Sequence, residues 1–132
     1  MADERIRHHD LCFGCGQSNL FGLQIELERR PGGGVGGRFF VKQDHQGPPG
    51  YAHGGVMAAA LDEAMALLLH DEGTYALTGG LEIELEAPAP VGSFVKLEAR
   101  REAAEGRKLV LTATASGEAG RLASARGTFV AG

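Results

Sequence analysis

The sequence predicts one α+β domain in which an antiparallel sheet of about six strands is wrapped around a single long helix. Three observations lead there. Segments that alternate apolar and polar residues flank a central stretch on both sides, and a period of two marks a strand with one buried face. The central stretch, Val56 to Leu69, is instead apolar all round, as a helix must be when it alone covers a sheet. The separators between the later alternating segments are short, so sequential strands are expected to pair antiparallel.

The elements follow in order. Leu23, Ile25 and Leu27 alternate with Gln24, Glu26 and Glu28, and "RPGGGVGG", Arg30 to Gly37, reads as a glycine-rich turn. "RFFVK" resumes a strand from Arg38, so the two form a hairpin. The helix comes next. Beyond it "LEIELEA" alternates from Leu81 to Ala87 until "APAPVG" breaks the chain with two prolines and a glycine. "SFVKLEARRE", "RKLVLTATAS" and "RLASARGTFVA" supply three further strands, separated by "AAEG" and "GEAG". No repeat or linker divides the chain, and 132 residues suffice for one domain, 1–132, with a core that needs no disulfides.

Composition narrows the partners. Lys and Arg number 13 against 17 Asp and Glu, a net charge of -4 that lacks the basic excess of a nucleic-acid binder. "MADERIRHHD" has no apolar signal region, and no apolar run approaches the roughly 20 residues of a membrane span. A soluble, cytoplasmic protein is expected, without nucleic-acid or membrane partners. Cys12 and Cys15 suit a reducing compartment.

Asp62 and Glu63 stand out, because they interrupt an apolar helix where burying a charge costs several kcal/mol. Gly54 and Gly55 lie at the start of that helix. First-turn amides have no intrahelical acceptor and carry the positive end of the dipole, so they can polarise a carbonyl. Asp62 is eight residues beyond Gly54, about 12 Å along the axis and within about 80° of the same face. One reacting carbon reaches both with difficulty. A second copy with its helix antiparallel would bring its own Asp62 opposite the first chain's glycines, which argues for a homo-oligomer with shared sites.

"HGGVMAAALD" places His53, Gly54 and Gly55 before an Asp nine residues after the His. With "LTGGLEIELEAPAPVGS", "EGRKLVLTATA" and "CFGCGQSNLFGL", it resembles the hotdog-fold acyl-CoA thioesterases of the phenylacetyl-CoA thioesterase and THEM type, from Cys12 to Val130. The resemblance implies a hotdog fold, an acyl-CoA substrate, no cofactor, and a homodimer or a dimer of dimers. It implies that Asp62 is general base or nucleophile, that Gly54 with Gly55 polarises the thioester carbonyl, and that Thr78 positions the attacking water. His53 would organise the loop or contact the acyl group, and Arg107 with Lys108 would contact the CoA phosphates. Glu82, Glu84 and Glu86 depart from the neutral or basic residues of many relatives, which leaves an acyl-carrier-protein thioester as an alternative substrate. A non-catalytic acyl-binding module is a second alternative. An enoyl-thioester hydratase is disfavoured, since no Asn-Pro-x-His type segment leads into the helix.

Two further groups are weighed and set aside. Glu63 is a second carboxylate, but the spacing from His53 selects Asp62, and Glu63 is expected to pair at solvent or an interface. His8, His9, Cys12 and Cys15 suggest zinc, yet there is one CxxC only and the histidines are adjacent rather than spaced as ligands usually are. No metal is expected, and Cys12 and Phe13 are assigned to packing under the N-terminal strand. Met57, Leu61 and Met65 leave the acyl group open between aryl and medium aliphatic.

Overall fold

The computed structural model of the chain describes residues 5–132. In chain order the strands are β1 (Arg5–Ile6), β2 (Glu26–Arg29) and β3 (Val35–Phe40), followed by a 3-10 turn at Gln43–His45 and helix α1 (Gly54–Asp71). Then come β4 (Ala76–Leu85), β5 (Phe94–Glu105), β6 (Lys108–Gly117) and β7 (Gly120–Ala131). They form one antiparallel sheet in the order β1-β2-β3-β5-β6-β7-β4. The strand beyond the expected six is β1, whose Arg5 and Ile6 pair with Glu28 and Leu27.

Three local departures from the sequence pattern have physical causes. Gln24 takes a left-handed backbone with φ of 50°, so the alternation of Leu23, Ile25 and Leu27 is not one strand although all three are buried. Leu23 and Ile25 instead donate their N–H groups to the carbonyls of Phe13 and Gly14. The glycine-rich turn is shorter than expected, because β3 already begins at Val35. Gly37 belongs to that strand, where a Cβ would stand 1.8 Å from the Glu26 carbonyl oxygen, so only glycine lets β2 and β3 pass this closely. Third, β4 lies on β7 at the far edge rather than beside β5. The "APAPVG" segment carries the chain away: Ala52 donates to the Ala89 carbonyl and Val91 to that of Gly50, while Pro88 and Pro90 have no N–H for a ladder.

Helix α1 packs against β3, β4, β5, β6 and β7. Its Met57, Ala60, Leu61, Ala64, Met65, Leu67, Leu68 and Leu69 are buried with Leu97, Leu111 and Phe129 of the sheet. Each large apolar side chain so buried contributes roughly 1.5–3 kcal/mol before entropy is counted. The sheet outreaches the helix at β4, where Leu81 and Leu85 stay 38% and 56% exposed.

His45 anchors the loop that leads into α1. It is buried, its Nδ1 accepts from Lys42 N at 3.1 Å, and its Nε2 faces the Gly22 carbonyl at 3.2 Å, which fixes a neutral ring protonated at Nε2. Its own carbonyl accepts from His53 N at 2.8 Å, so the turn holds the residues that open the helix. Burial pushes its pKa below 6.5, helped by Lys42 and opposed by the Gly22 carbonyl and Asp44. The unfolded chain therefore takes up a proton that the folded chain resists. Stability is complete above about 6.5 and falls as the pH drops through that value. Thermal unfolding followed from about pH 7.5 down to 5.5 should show this loss, and His45→Gln should flatten it. An identical pH dependence in the variant would assign the titration elsewhere.

Candidate active site

Asp62 lies in the third turn of α1, half-buried, and accepts a hydrogen bond of 2.8 Å from Thr78 Oγ1 on β4. A β-bulge makes that bond geometrically available. From Leu81 to Leu85 the odd-numbered residues oppose Gly127, Ala125 and Ala123 of β7, all buried, and so face the helix. Continued without interruption, that alternation would turn Leu77 and Gly79 inward and Thr78 outward. The register shifts between Thr78 and Gly80, so Gly79 is an extra residue and Thr78 comes to oppose buried Phe129 on the helix side. Leu77, now on the outer face, is 63% exposed.

The start of α1 is capped by His53, whose Nδ1 accepts from Gly55 N at 2.8 Å. Histidine replaces the usual Ser or Asp cap here. The cap consumes the Gly55 amide, and the His53 carbonyl takes the amides of Val56 and Met57. Gly54 N–H is left as the first-turn donor without an acceptor among the described residues. Of the two glycines singled out from the sequence, Gly54 offers the free amide, and Gly55 holds the histidine in place.

Arg107 and Lys108 sit at the β5–β6 hairpin, both exposed, with Arg107 Nε donating to the Ala131 carbonyl at 3.0 Å. Lys108 and Leu77 both oppose Val130, one row from Thr78, Phe129 and Leu109. The hairpin is therefore two strand spacings from Thr78, about 10 Å, and Lys108 points to the outer face. Glu82 and Glu84 share that face, opposite Arg126 and Ser124.

Glu63 is not at solvent. Its carboxylate, 12% exposed, meets His8 Nε2 at 3.5 Å and Cys12 Sγ at 3.4 Å within its own chain. The sequence brought His8, Cys12 and Cys15 together but not Glu63, which is 48 residues from Cys15 with no local spacing to join them. It missed His45 as well. The signal for both was a polar group in an otherwise apolar setting, and for Glu63 a glycine, Gly14, that leaves it room.

Residues 49–124 match the model of the thioesterase superfamily, so the chain belongs to that family. Rat acyl-coenzyme A thioesterase THEM4 is 35% identical over 69 residues, 52% of this chain and 30% of that protein. Human acyl-coenzyme A thioesterase THEM5 is 36% identical over 72 residues, 53% of this chain and 28% of that one. The chain thus spans less than a third of these relatives. A crystal structure of a thioesterase superfamily protein superimposes with a TM-score of 0.85 at 27% identity, covering 92% of this chain and 60% of that one. Escherichia coli PaaI, from the phenylacetic acid degradation operon, has a TM-score of 0.74 at 18% identity, covering 80% and 82%. A Streptococcus pneumoniae hypothetical thioesterase crystallised with coenzyme A has a TM-score of 0.75 at 17% identity, covering 82% and 85%. The fold is the hotdog fold expected from the sequence. No helix among the described residues is long and apolar enough to cross a membrane.

Proposed function

We propose that the protein hydrolyses acyl-CoA thioesters at sites shared between two copies of the chain. The hydrogen bond from Thr78 to Asp62 carries this reading. A threonine hydroxyl whose proton is committed to a carboxylate keeps its lone pairs free to accept from water. A water held there would lie between a base and an orienting group. Asp62 takes the water's proton as the oxygen attacks the thioester carbon, and the carbonyl electrons move onto oxygen. The Gly54 amide of the other copy stabilises that oxyanion with the helix dipole behind it. Collapse of the tetrahedral intermediate breaks the C–S bond and releases CoA thiolate and the carboxylic acid. Attack by Asp62 itself, through an anhydride, uses the same residues.

Relatives support the substrate class: THEM4 and THEM5 are acyl-coenzyme A thioesterases, and the S. pneumoniae protein was crystallised with coenzyme A. Mutants of that protein, each with one residue changed to Ala, have also been crystallised; the Asp and the Thr replaced are 16 residues apart, the separation of Asp62 and Thr78 here. Sharing between copies follows from α1 itself, in which Gly54 and Asp62 are about 12 Å apart along the axis. The free edge of β4, with Leu81 and Leu85 exposed, offers a surface for the second copy. A thiol-release assay over aryl, short and long acyl-CoAs tests the activity, and turnover of none of them would overturn the proposal.

Arg107 and Lys108 are assigned to the CoA phosphates. Replacing both with Ala should raise KM for CoA esters several-fold more than it lowers kcat, and the difference should shrink at high salt. An unchanged KM would make them ordinary surface charges.

A further inference from the structure

We propose that His8, Cys12, Cys15 and Glu63 form a structural zinc site that ties the amino-terminal segment to α1. One potential ligand atom from each of the four lies within 4.8 Å of every other. A tetrahedral zinc ion, with bonds of about 2.3 Å to sulfur and about 2.0–2.1 Å to nitrogen or oxygen, requires ligand atoms roughly 3.3–3.8 Å apart. The Cys12 Sγ to Glu63 Oε2 distance is 3.4 Å, His8 Nε2 to Glu63 Oε2 is 3.5 Å, and Cys12 Sγ to His8 Nε2 is 3.9 Å. The first two lie within that range and the third just above it. Cys15, fully buried, lies on the Nδ1 side of the His8 ring, its Sγ 3.3 Å from that nitrogen, and would supply the fourth ligand.

The backbone is shaped for this convergence. Cys12-Phe13-Gly14-Cys15 forms a knuckle closed by Gly16 N donating to the Cys12 carbonyl at 2.8 Å. A Cβ on Gly14 would lie 2.4 Å from Glu63 Cγ, so glycine there is what lets the knuckle reach the helix carboxylate. A Cβ on Gly16 would meet the Asp10 carbonyl oxygen at 2.3 Å, so the return of the knuckle needs glycine as well. Against the sequence reading, the second half of the site is not another CxxC. It is one histidine before the knuckle and one carboxylate from the helix.

Charge supports the same ion. Glu63 is a nearly enclosed carboxylate facing His8 and two thiols. Binding Zn²⁺ would deprotonate both thiols and release two protons, leaving two thiolates, one carboxylate and a neutral imidazole around the cation. Two sulfurs select zinc over magnesium or calcium. Four protein ligands close the coordination sphere, so the role is structural.

The test is metal content and spectroscopy on the whole protein. Protein purified without chelator should hold about one zinc per chain after dialysis, and cobalt added to stripped protein should give thiolate-to-metal charge-transfer absorption. Cys12→Ser with Cys15→Ser should abolish both signals, and Glu63→Gln should weaken cobalt affinity at least about 10-fold. His9→Ala should change neither, since His9 Nδ1 is occupied by Leu11 N. The cobalt titration of the unaltered stripped chain stands even if a cysteine variant misfolds. Zinc content no higher than in the double variant, absence of the charge-transfer band, or a Cys12–Cys15 disulfide in its place would overturn the proposal.

Discussion

Asp62→Asn should lower kcat on the best acyl-CoA substrate by roughly 10² to 10⁴-fold, the range for loss of a general base. The change keeps size and shape, and the amide oxygen can still accept the hydrogen bond that Thr78 Oγ1 makes to Asp62 Oδ1. Substrate affinity and oligomer mass should therefore persist. A merely structural carboxylate would give the opposite pattern, in which the variant loses stability or dissociates while the remaining assembly turns over near the normal rate. Measuring kcat and mass on the same sample separates the two.

Gly54→Pro should be nearly as damaging, at about 10² to 10³-fold in kcat, because it deletes the single amide proposed to hold the oxyanion. Proline is chosen because the position can take it. Gly54 is the first residue of α1, where a missing N–H costs the helix nothing and the ring's fixed φ suits the helix. The preceding His53, at φ -63° and ψ 138°, already has the extended backbone that a following proline demands. The nearest obstacle to a side chain is Leu85 Cδ1, 3.0 Å from an added Cβ, and this is the end of a flexible side chain. Helix content and melting temperature should stay close to those of the parent. Retained activity in a well-folded variant would remove Gly54 from the chemistry.

The central helix and the hairpins were legible in the sequence because each is a local pattern. An all-apolar stretch followed by four alternating segments leaves few arrangements, and the glycines before Val56 mark where the helix begins. Sheet order was not legible. Whether β4 pairs with β5 or swings to β7 depends on the path of Pro88 to Gly92, which is set by contacts with Gly50 and Ala52 some 40 residues away. The family resemblance named both Asp62 and Thr78, but their hydrogen bond and its physical cause, the bulge at Gly79, are a register event that alternation alone does not announce. The same holds for Glu63. Its neighbour Asp62 was singled out by the motif, but the partners of Glu63, His8, Cys12 and Cys15, reach it only through the tertiary fold. Gly54 and Gly55 look equivalent in the motif, and only the cap donated to His53 Nδ1 tells them apart.

The most direct test of a site shared between copies is to mix the two damaged chains. An Asp62→Asn chain keeps Gly54, and a Gly54→Pro chain keeps Asp62. After co-refolding or co-expression, a mixed dimer would contain one site with both native groups and one site with neither. Random assembly of equal amounts puts half the molecules in mixed dimers, so activity should recover to about one quarter of the parent's, far above either variant alone. If Gly54 and Asp62 of one chain serve the same site, every site in the mixture carries a defect. Activity would then stay at the average of the two variants, and that result would contradict the account.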